Sequence, residues 1–108
     1  MRATVLIATD VFGNTPAIAS LCRQLNASCL VVSPFEADFR AETEQQAYQA
    51  FLASGGVATY AKKIHALMEE QAQLRHVIGF SVGASAWWMG SAARSAHLQT
   101  ASLFYGSR

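Results

Sequence analysis

The chain has 108 residues, which limits it to one domain or part of one, and we expect residues 1–108 to form a single unit. Its charged fraction is 14%, well below the roughly 25% of free-standing domains, so its surface is expected to contact more protein. A net charge of +1 argues against nucleic-acid binding, and no apolar run reaches the roughly 18 residues of a membrane span.

The first predicted element is a strand from Thr4 to Thr9, an unbroken β-branched and aliphatic run typical of a strand buried on both faces. A helix follows, with Asn14 or Thr15 as its cap and Pro16 in its first turn. Its apolar side carries Ile18, Leu21, Cys22 and Leu25. Asn26 tolerates left-handed backbone and is the predicted end of this helix.

The middle of the chain predicts one more buried strand and two helices. The strand runs from Ser28 to Ser33. A polar helix from Glu42 to Ser54 is broken by Gly55 and Gly56, and an amphipathic helix from Val57 to Gln71 follows. Cys22 and Cys29 lack metal-ligand spacing, so we expect both to be small buried hydrophobes in a cytoplasmic protein.

The last third completes an alternation of strands and helices. His76 to Phe80 is the third strand, a helix runs from Val82 to about Ala96, and Thr100 to Tyr105 is the fourth strand. This alternation predicts an α/β fold, a parallel four-stranded sheet with helices on both faces. Ligands of such sheets bind beyond the carboxyl ends of the strands where strand order reverses, which directs attention to the loops at residues 10–15 and 81–83.

The second of these loops contains the sharpest motif of the sequence. Gly79-Phe80-Ser81-Val82-Gly83 matches the G-x-S-x-G nucleophile elbow, and it lies between a predicted strand and a predicted helix as the motif requires. Glycines two residues either side of Ser81 let strand and helix approach closely, and the Val82 N–H would face an oxyanion formed there. The alternative is a tight turn that needs two glycines and contains an incidental serine.

With this elbow, the chain resembles the dienelactone hydrolase family of α/β-hydrolases. Three segments carry the resemblance, in the family's order and at about its spacing: Ile7 to Asn14, Val77 to Ala84 and Leu103 to Gly106. They span nearly the whole chain. The resemblance implies a partial α/β-hydrolase fold, comprising the amino-terminal and nucleophile-elbow half, with a sheet order of 2-1-3-4.

The resemblance also implies roles for individual residues. Ser81 would be the nucleophile, the amides of Val11 and Val82 would form the oxyanion hole, and Asp10 would be the acidic residue beside the nucleophile. Gly79 and Gly83 would be the elbow glycines. The implied substrate is a small-molecule ester or lactone, and neither a cofactor nor a metal is expected.

Two departures from the family qualify these expectations. The enzymes that give the family its name have cysteine at the nucleophile position, so a serine esterase relative is favoured over an enzyme for dienelactone itself. The family's chains are about twice as long, and their triad Asp and His lie beyond the strand that matches Ala101 to Gly106. We therefore expect the natural form to be longer and this chain alone to have little esterase activity.

The residues present do not suggest another base. His76 and His97 belong at the amino ends of their strands, roughly 16 Å from Ser81, and His65 lies in the third predicted helix. Asp10 could bond the Ser81 hydroxyl but is a weak base, and it could equally cap the turn or helix at Gly13 to Pro16.

The aromatic residues have two open interpretations. Trp87 and Trp88 are predicted to pack in the core or at an interface. Phe35, Phe39, Tyr48 and Phe51 could line an apolar acyl pocket or fill the core.

Three functions follow. The first is a serine hydrolase of the dienelactone hydrolase type with an incomplete triad in this chain. The second is a non-catalytic binding or assembly module on the same scaffold. The third, a flavodoxin-like domain binding an anion, is disfavoured because no phosphate-type glycine-rich loop follows the first strand. The strand from Thr100 to Tyr105 lacks the features that protect natural edges, so it is expected to pair with another copy if it is left as an edge.

Overall fold

The structure, a computed structural model, describes residues 3–35, 41–89 and 98–104. Within them the elements are β1 (Val5–Ala8), α1 (Pro16–Leu25), β2 (Cys29–Val32), α2 (Glu44–Ala53), α3 (Gly56–Glu70), β3 (His76–Phe80), α4 (Val82–Met89) and β4 (Thr100–Phe104). The predicted strands and helices are confirmed. Predicted ends at Ala96 and Tyr105 lie outside the described residues. None of the described helices combines the length and apolar character needed to cross a bilayer.

The four strands form one parallel sheet in the order β2-β1-β3-β4, which confirms the predicted fold class and order. Ala8 at the end of β1 pairs with Val32 on one side and with Gly79 on the other. The chain leaves β1 towards β2 and leaves β3 towards β4, so strand order reverses between β1 and β3. The loops after these two strands therefore meet at the switch point.

One face of the sheet carries the core, because strand side chains alternate and half of them point towards α2, α3 and α4. Leu6 and Val77 are paired in the sheet and fully buried on this face. The helices add large buried side chains to the same cluster: Phe51, Tyr60, Ile64, Met68 and Trp87. The apolar periodicity of α3 is thus directed into this core.

The opposite face is covered by α1, whose Ile18 and Leu21 border a cavity together with Phe80. No residue of α1 is fully buried, and Phe104 of β4 is 52% exposed. The prediction of a buried strand is therefore confirmed for β1 and wrong for β2, where only Val32 is buried. Buried and half-buried residues alternate along β3, and β4 is mostly exposed. Of the described helices, α1 with its ten residues lies on this face, where Ile7 in the middle of the sheet is fully buried and Phe104 at its margin is exposed.

The cysteines also differ from expectation, because both are half-exposed rather than buried. The thiols of Cys22 on α1 and Cys29 on β2 are in hydrogen-bonding contact. The Cys29 thiol also donates to the Ala27 carbonyl oxygen at 3.6 Å. Burial raises the pKa of Cys29 to about 11, and the neighbouring Cys22 adds to the shift.

One buried side chain ties α3 to the carboxyl ends of two strands. The Tyr60 hydroxyl is 2.9 Å from the Thr9 carbonyl oxygen and 3.0 Å from that of Val32, and it donates its one proton between them. The Thr9 N–H donates to the same Val32 oxygen at 3.0 Å. Burial raises the pKa of Tyr60, so the phenol stays a neutral donor.

We predict that Tyr60→Phe lowers the free energy of unfolding by about 1–3 kcal/mol, because the Thr9 and Val32 carbonyl oxygens lose the phenol donor and Val32 keeps the bond from the Thr9 N–H. Urea denaturation followed by circular dichroism measures the change. Tyr48→Phe is the matched control, since Tyr48 is 49% exposed, and it should change stability by less than about 0.5 kcal/mol. Equal effects of the two substitutions would contradict the role of the Tyr60 hydroxyl.

Candidate active site

Ser81 stands directly between β3 and α4 in a left-handed backbone conformation, with φ 55°. Non-glycine residues seldom adopt this conformation, which costs about 1–3 kcal/mol and is concentrated at functional sites. The elbow motif predicts such a strained backbone at the nucleophile, and this prediction is confirmed. An extended or helical Ser81 would have contradicted it.

The two motif glycines are required by space and not by their own conformation. A Cβ at Gly79 would lie 2.9 Å from the Ala84 Cα, where α4 begins. A Cβ at Gly83 would collide with the Ala8 carbonyl oxygen and lie 2.7 Å from that of Thr9. Neither glycine has a positive φ, so the strained residue of the turn is the serine itself. This argues against a glycine-type turn with an incidental serine.

Backbone hydrogen bonds hold Ser81 from both sides. Its N–H donates to the Phe104 carbonyl oxygen of β4 at 2.7 Å, and its carbonyl oxygen accepts from the Ser85 N–H at 3.0 Å. The Ser81 amide is therefore engaged with the sheet. The next amide, that of Val82, belongs to the first residue of α4. The first N–H groups of a helix have no partner within the helix, and they stabilise a negative charge placed near them.

The loop after β1 is a tight turn organised by Asp10. Its carboxylate Oδ1 accepts from the Phe12 N–H at 2.9 Å, and its carbonyl oxygen accepts from the Gly13 N–H at 3.1 Å. Asp10 thus closes a turn at residues 10–13, which ends where the turn or helix predicted at Gly13 to Pro16 begins. The Val11 side chain packs in the core. The hydrogen bonds of the turn are donated by the amides of Phe12 and Gly13.

The sheet brings the two loops to one place. Ala8 and Gly79 are paired across β1 and β3, so Asp10 and Ser81 each follow two residues later on strands about 4.8 Å apart. The contact of Gly83 with the end of β1 closes the same junction. The residues that the family resemblance groups as a site, at positions 10, 11, 81 and 82, therefore lie at the carboxyl ends of two neighbouring strands.

A cavity of about 350 Å³ opens beside this junction. It is lined by Asp10, Phe12, Thr15, Ala17, Ile18, Leu21 and Phe80. None of these except Asp10 was predicted as a site residue. The sequence does contain a sign of such a cavity wall, because the apolar stripe of α1 begins just after the loop at residues 10–15. The same stripe is equally typical of core packing.

Of the two interpretations of the aromatic residues after β2, acyl pocket or core filling, core filling is confirmed for Phe35 and Phe51. Phe35 and Phe51 are buried in the core on the other face of the sheet, Tyr48 is exposed, and Phe39 lies outside the described residues. The two tryptophans differ in burial. Trp87 packs in the core as predicted, whereas Trp88 is 67% exposed.

Neither described histidine is placed to act on Ser81. His65 Nε2 is 3.2 Å from the Trp87 carbonyl oxygen, and its ring stacks on that of Trp87 at 4.7 Å. His76 lies at the amino end of β3, with Nδ1 2.7 Å from the Thr100 hydroxyl. His97 lies outside the described residues. Across residues 3–35, 41–89 and 98–104, no group of three or more metal-ligating side chains occurs.

We predict that Ser81→Gly raises the free energy of unfolding by about 1 kcal/mol, because glycine relieves the left-handed strain at some cost in chain entropy. Ser85→Gly, the matched control four residues later inside α4, should lower it by about 0.5 kcal/mol. Urea denaturation of both variants measures the difference. Destabilisation by both substitutions would contradict a strained Ser81.

No family model, curated protein or solved structure matches this chain. The functional assignment therefore depends on the geometry of the elbow and the loop beside it.

Proposed function

We propose that this chain carries the nucleophile half of a serine hydrolase of the dienelactone hydrolase type, acting on a small-molecule ester or lactone in the cytoplasm. Ser81 is the nucleophile, and the amides of Val11 and Val82 form the oxyanion hole. The observation that carries the proposal is the left-handed Ser81 between two closely packed glycines at the switch point of a parallel sheet. Strained backbone of this kind is concentrated at functional sites.

The proposed reaction begins when Ser81 Oγ bonds to the ester carbonyl carbon and the carbonyl π electrons move to oxygen. Two N–H donors, from Val11 and Val82, stabilise the resulting oxyanion. The intermediate collapses with loss of the alcohol, which takes the serine proton, and leaves an acyl-serine that water then hydrolyses. In this proposal the Asp10 carboxylate, at the end of the neighbouring strand, accepts a hydrogen bond from the hydroxyl and orients it.

Proton removal limits the rate in this chain. A carboxylate is a weak base for a serine hydroxyl, and His65 and His76 are engaged away from the site. Catalysis from an oxyanion hole and binding alone leaves a residual rate of roughly 10³–10⁴-fold over water. Turnover well below the roughly 10 s⁻¹ of an ordinary enzyme is therefore expected.

We predict that p-nitrophenyl acetate slowly acetylates the chain at Ser81, as detected by mass spectrometry of the intact chain and its peptides. Ser81→Ala should lose this adduct, whereas Ser85→Ala should keep it, because Ser85 lies inside α4. Acetylation confined to lysine side chains, with none at Ser81, would contradict the proposal. Rapid Ser81-dependent turnover would show that a base other than the residues considered serves the site.

The second candidate function, an assembly module, is favoured by the edge of the sheet. Within the described part of the chain, β4 pairs with β3 alone. Its sequence, Thr100-Ala101-Ser102-Leu103-Phe104, contains no charge or proline that would discourage pairing, and four of its five residues are exposed. Another copy could add a strand here and cover Phe104.

If this edge pairs, the chain should self-associate in light scattering at tens of micromolar, the range in which exposed strand edges drive association. Ser102→Lys should shift the chain towards monomer, because a charge on an edge strand opposes pairing. Gln45→Lys, on the exposed surface of α2, adds the same charge and should leave association unchanged. A monomeric wild-type chain whose β4 amides exchange freely would overturn this second function.

A further inference from the structure

The two cysteines of the chain face each other across the boundary between α1 and β2. Side chains alternate along a strand, and Val32 of β2 packs in the core. Cys29, three residues earlier, therefore points to the opposite face of the sheet, which α1 covers. On α1, Cys22 lies one turn after Ile18, which borders the cavity on that face. The thiols of Cys22 and Cys29 meet there and are in hydrogen-bonding contact.

The pair lies at the margin of the sheet, away from the elbow. Within the described residues, β2 pairs with β1 alone, and Cys29 pairs with Val5 at the amino end of that strand. Ser81, by contrast, follows the carboxyl end of β3. Both cysteines are half-exposed, so a small molecule in solution can approach their sulfur atoms. The pair is therefore a separate site, with no part in the proposed hydrolysis.

Contacting thiols that solvent reaches are suited to thiol–disulfide exchange, in which a thiolate attacks one sulfur of a disulfide and a second thiol completes the reaction. Burial raises the pKa of Cys29 to about 11, so Cys29 holds its proton at neutral pH. Its thiol donates to the Ala27 carbonyl oxygen at 3.6 Å. The first attack therefore comes from Cys22, and Cys29 acts second.

We propose that Cys22 and Cys29 form a redox modification site, a dithiol that oxidised glutathione converts reversibly to an intrachain disulfide. This bond fastens α1 to β2. No residue of α1 is fully buried, and Leu21, next to Cys22, borders the cavity beside the elbow. Oxidation therefore secures the helix that forms one wall of that cavity. The proposal does not rest on the hydrolase function.

The exchange balances in two steps. The Cys22 thiol loses its proton to solvent, and its sulfur attacks one sulfur of oxidised glutathione, whose S–S bond breaks and releases one glutathione thiolate. Cys29 then loses its proton, and its sulfur attacks Cys22 Sγ and displaces the second glutathione thiolate. Both released thiolates take up a proton from solvent. The two cysteines lose two electrons in total, and oxidised glutathione gains them.

The test incubates the reduced chain with oxidised glutathione, alkylates the remaining thiols with iodoacetamide and measures the intact mass. The effective concentration of a contacting thiol far exceeds that of glutathione at about 1 mM, so ring closure should outrun further exchange. We expect most of the chain to lose two hydrogens and to carry neither glutathione nor an alkyl group, and dithiothreitol should restore both thiols. Full alkylation, two bound glutathiones or disulfide-linked dimers would overturn the proposal.

Two variants connect the result to the contact. Cys29→Ser removes the second thiol, so Cys22 should keep one glutathione as a stable adduct; an unmodified variant would overturn the first attack by Cys22. The double variant Cys22→Ser with Arg23→Cys moves one cysteine to an exposed position of the same helix, and it should carry two glutathiones. An intrachain disulfide there to the wild-type extent would mean that nearness in sequence alone pairs the thiols, and would overturn the site. Circular dichroism confirms that each variant is folded.

The disulfide should also raise the thermal unfolding midpoint of the chain by roughly 5–15 °C, because it restricts the unfolded chain between residues 22 and 29. Circular dichroism compares the oxidised chain with the reduced one, and dithiothreitol should abolish the gain. An unchanged or lower midpoint would overturn the fastening of α1 to β2. Ser81→Ala should be oxidised like the wild-type chain, so failure of acetylation at Ser81 would leave this proposal standing.

Discussion

The structure depends on the close approach of the first turn of α4 to the end of β1. Gly83 lies against the Ala8 and Thr9 carbonyl groups, where no side chain fits. Because α4 must start there, the chain has only one residue in which to pass from β3 into the helix. Ser81 takes the left-handed conformation that this short connection demands, and the strain is offset by the packing on either side.

The two faces of the sheet are covered to different extents. On one face, α2, α3 and α4 bury a continuous core, and the Tyr60 hydroxyl fastens the ends of β1 and β2 to α3. On the other, α1 covers the sheet in part and leaves a cavity at the carboxyl ends of the strands. Large apolar side chains are exposed on several elements, among them Phe104 of β4, Leu52 of α2 and Trp88 of α4.

Asp10 links the fold to the proposed chemistry. One carboxylate oxygen accepts the Phe12 N–H and shapes the turn, and the same residue borders the cavity next to Ser81. Its two interpretations from sequence, turn cap and site residue, were therefore not exclusive.

The sequence by itself determined the order of strands and helices, the left-handed residue Asn26 at the end of α1, and the position of the G-x-S-x-G motif between a strand and a helix. Each of these depends on residues a few positions apart. The sheet order came from a family resemblance and not from local pattern. Only the tertiary structure decided which faces are buried, that Phe51 fills the core instead of a pocket, and that His65 stacks on Trp87. Those facts depend on contacts between residues distant in sequence, where one apolar stripe suits a core and a cavity wall equally well.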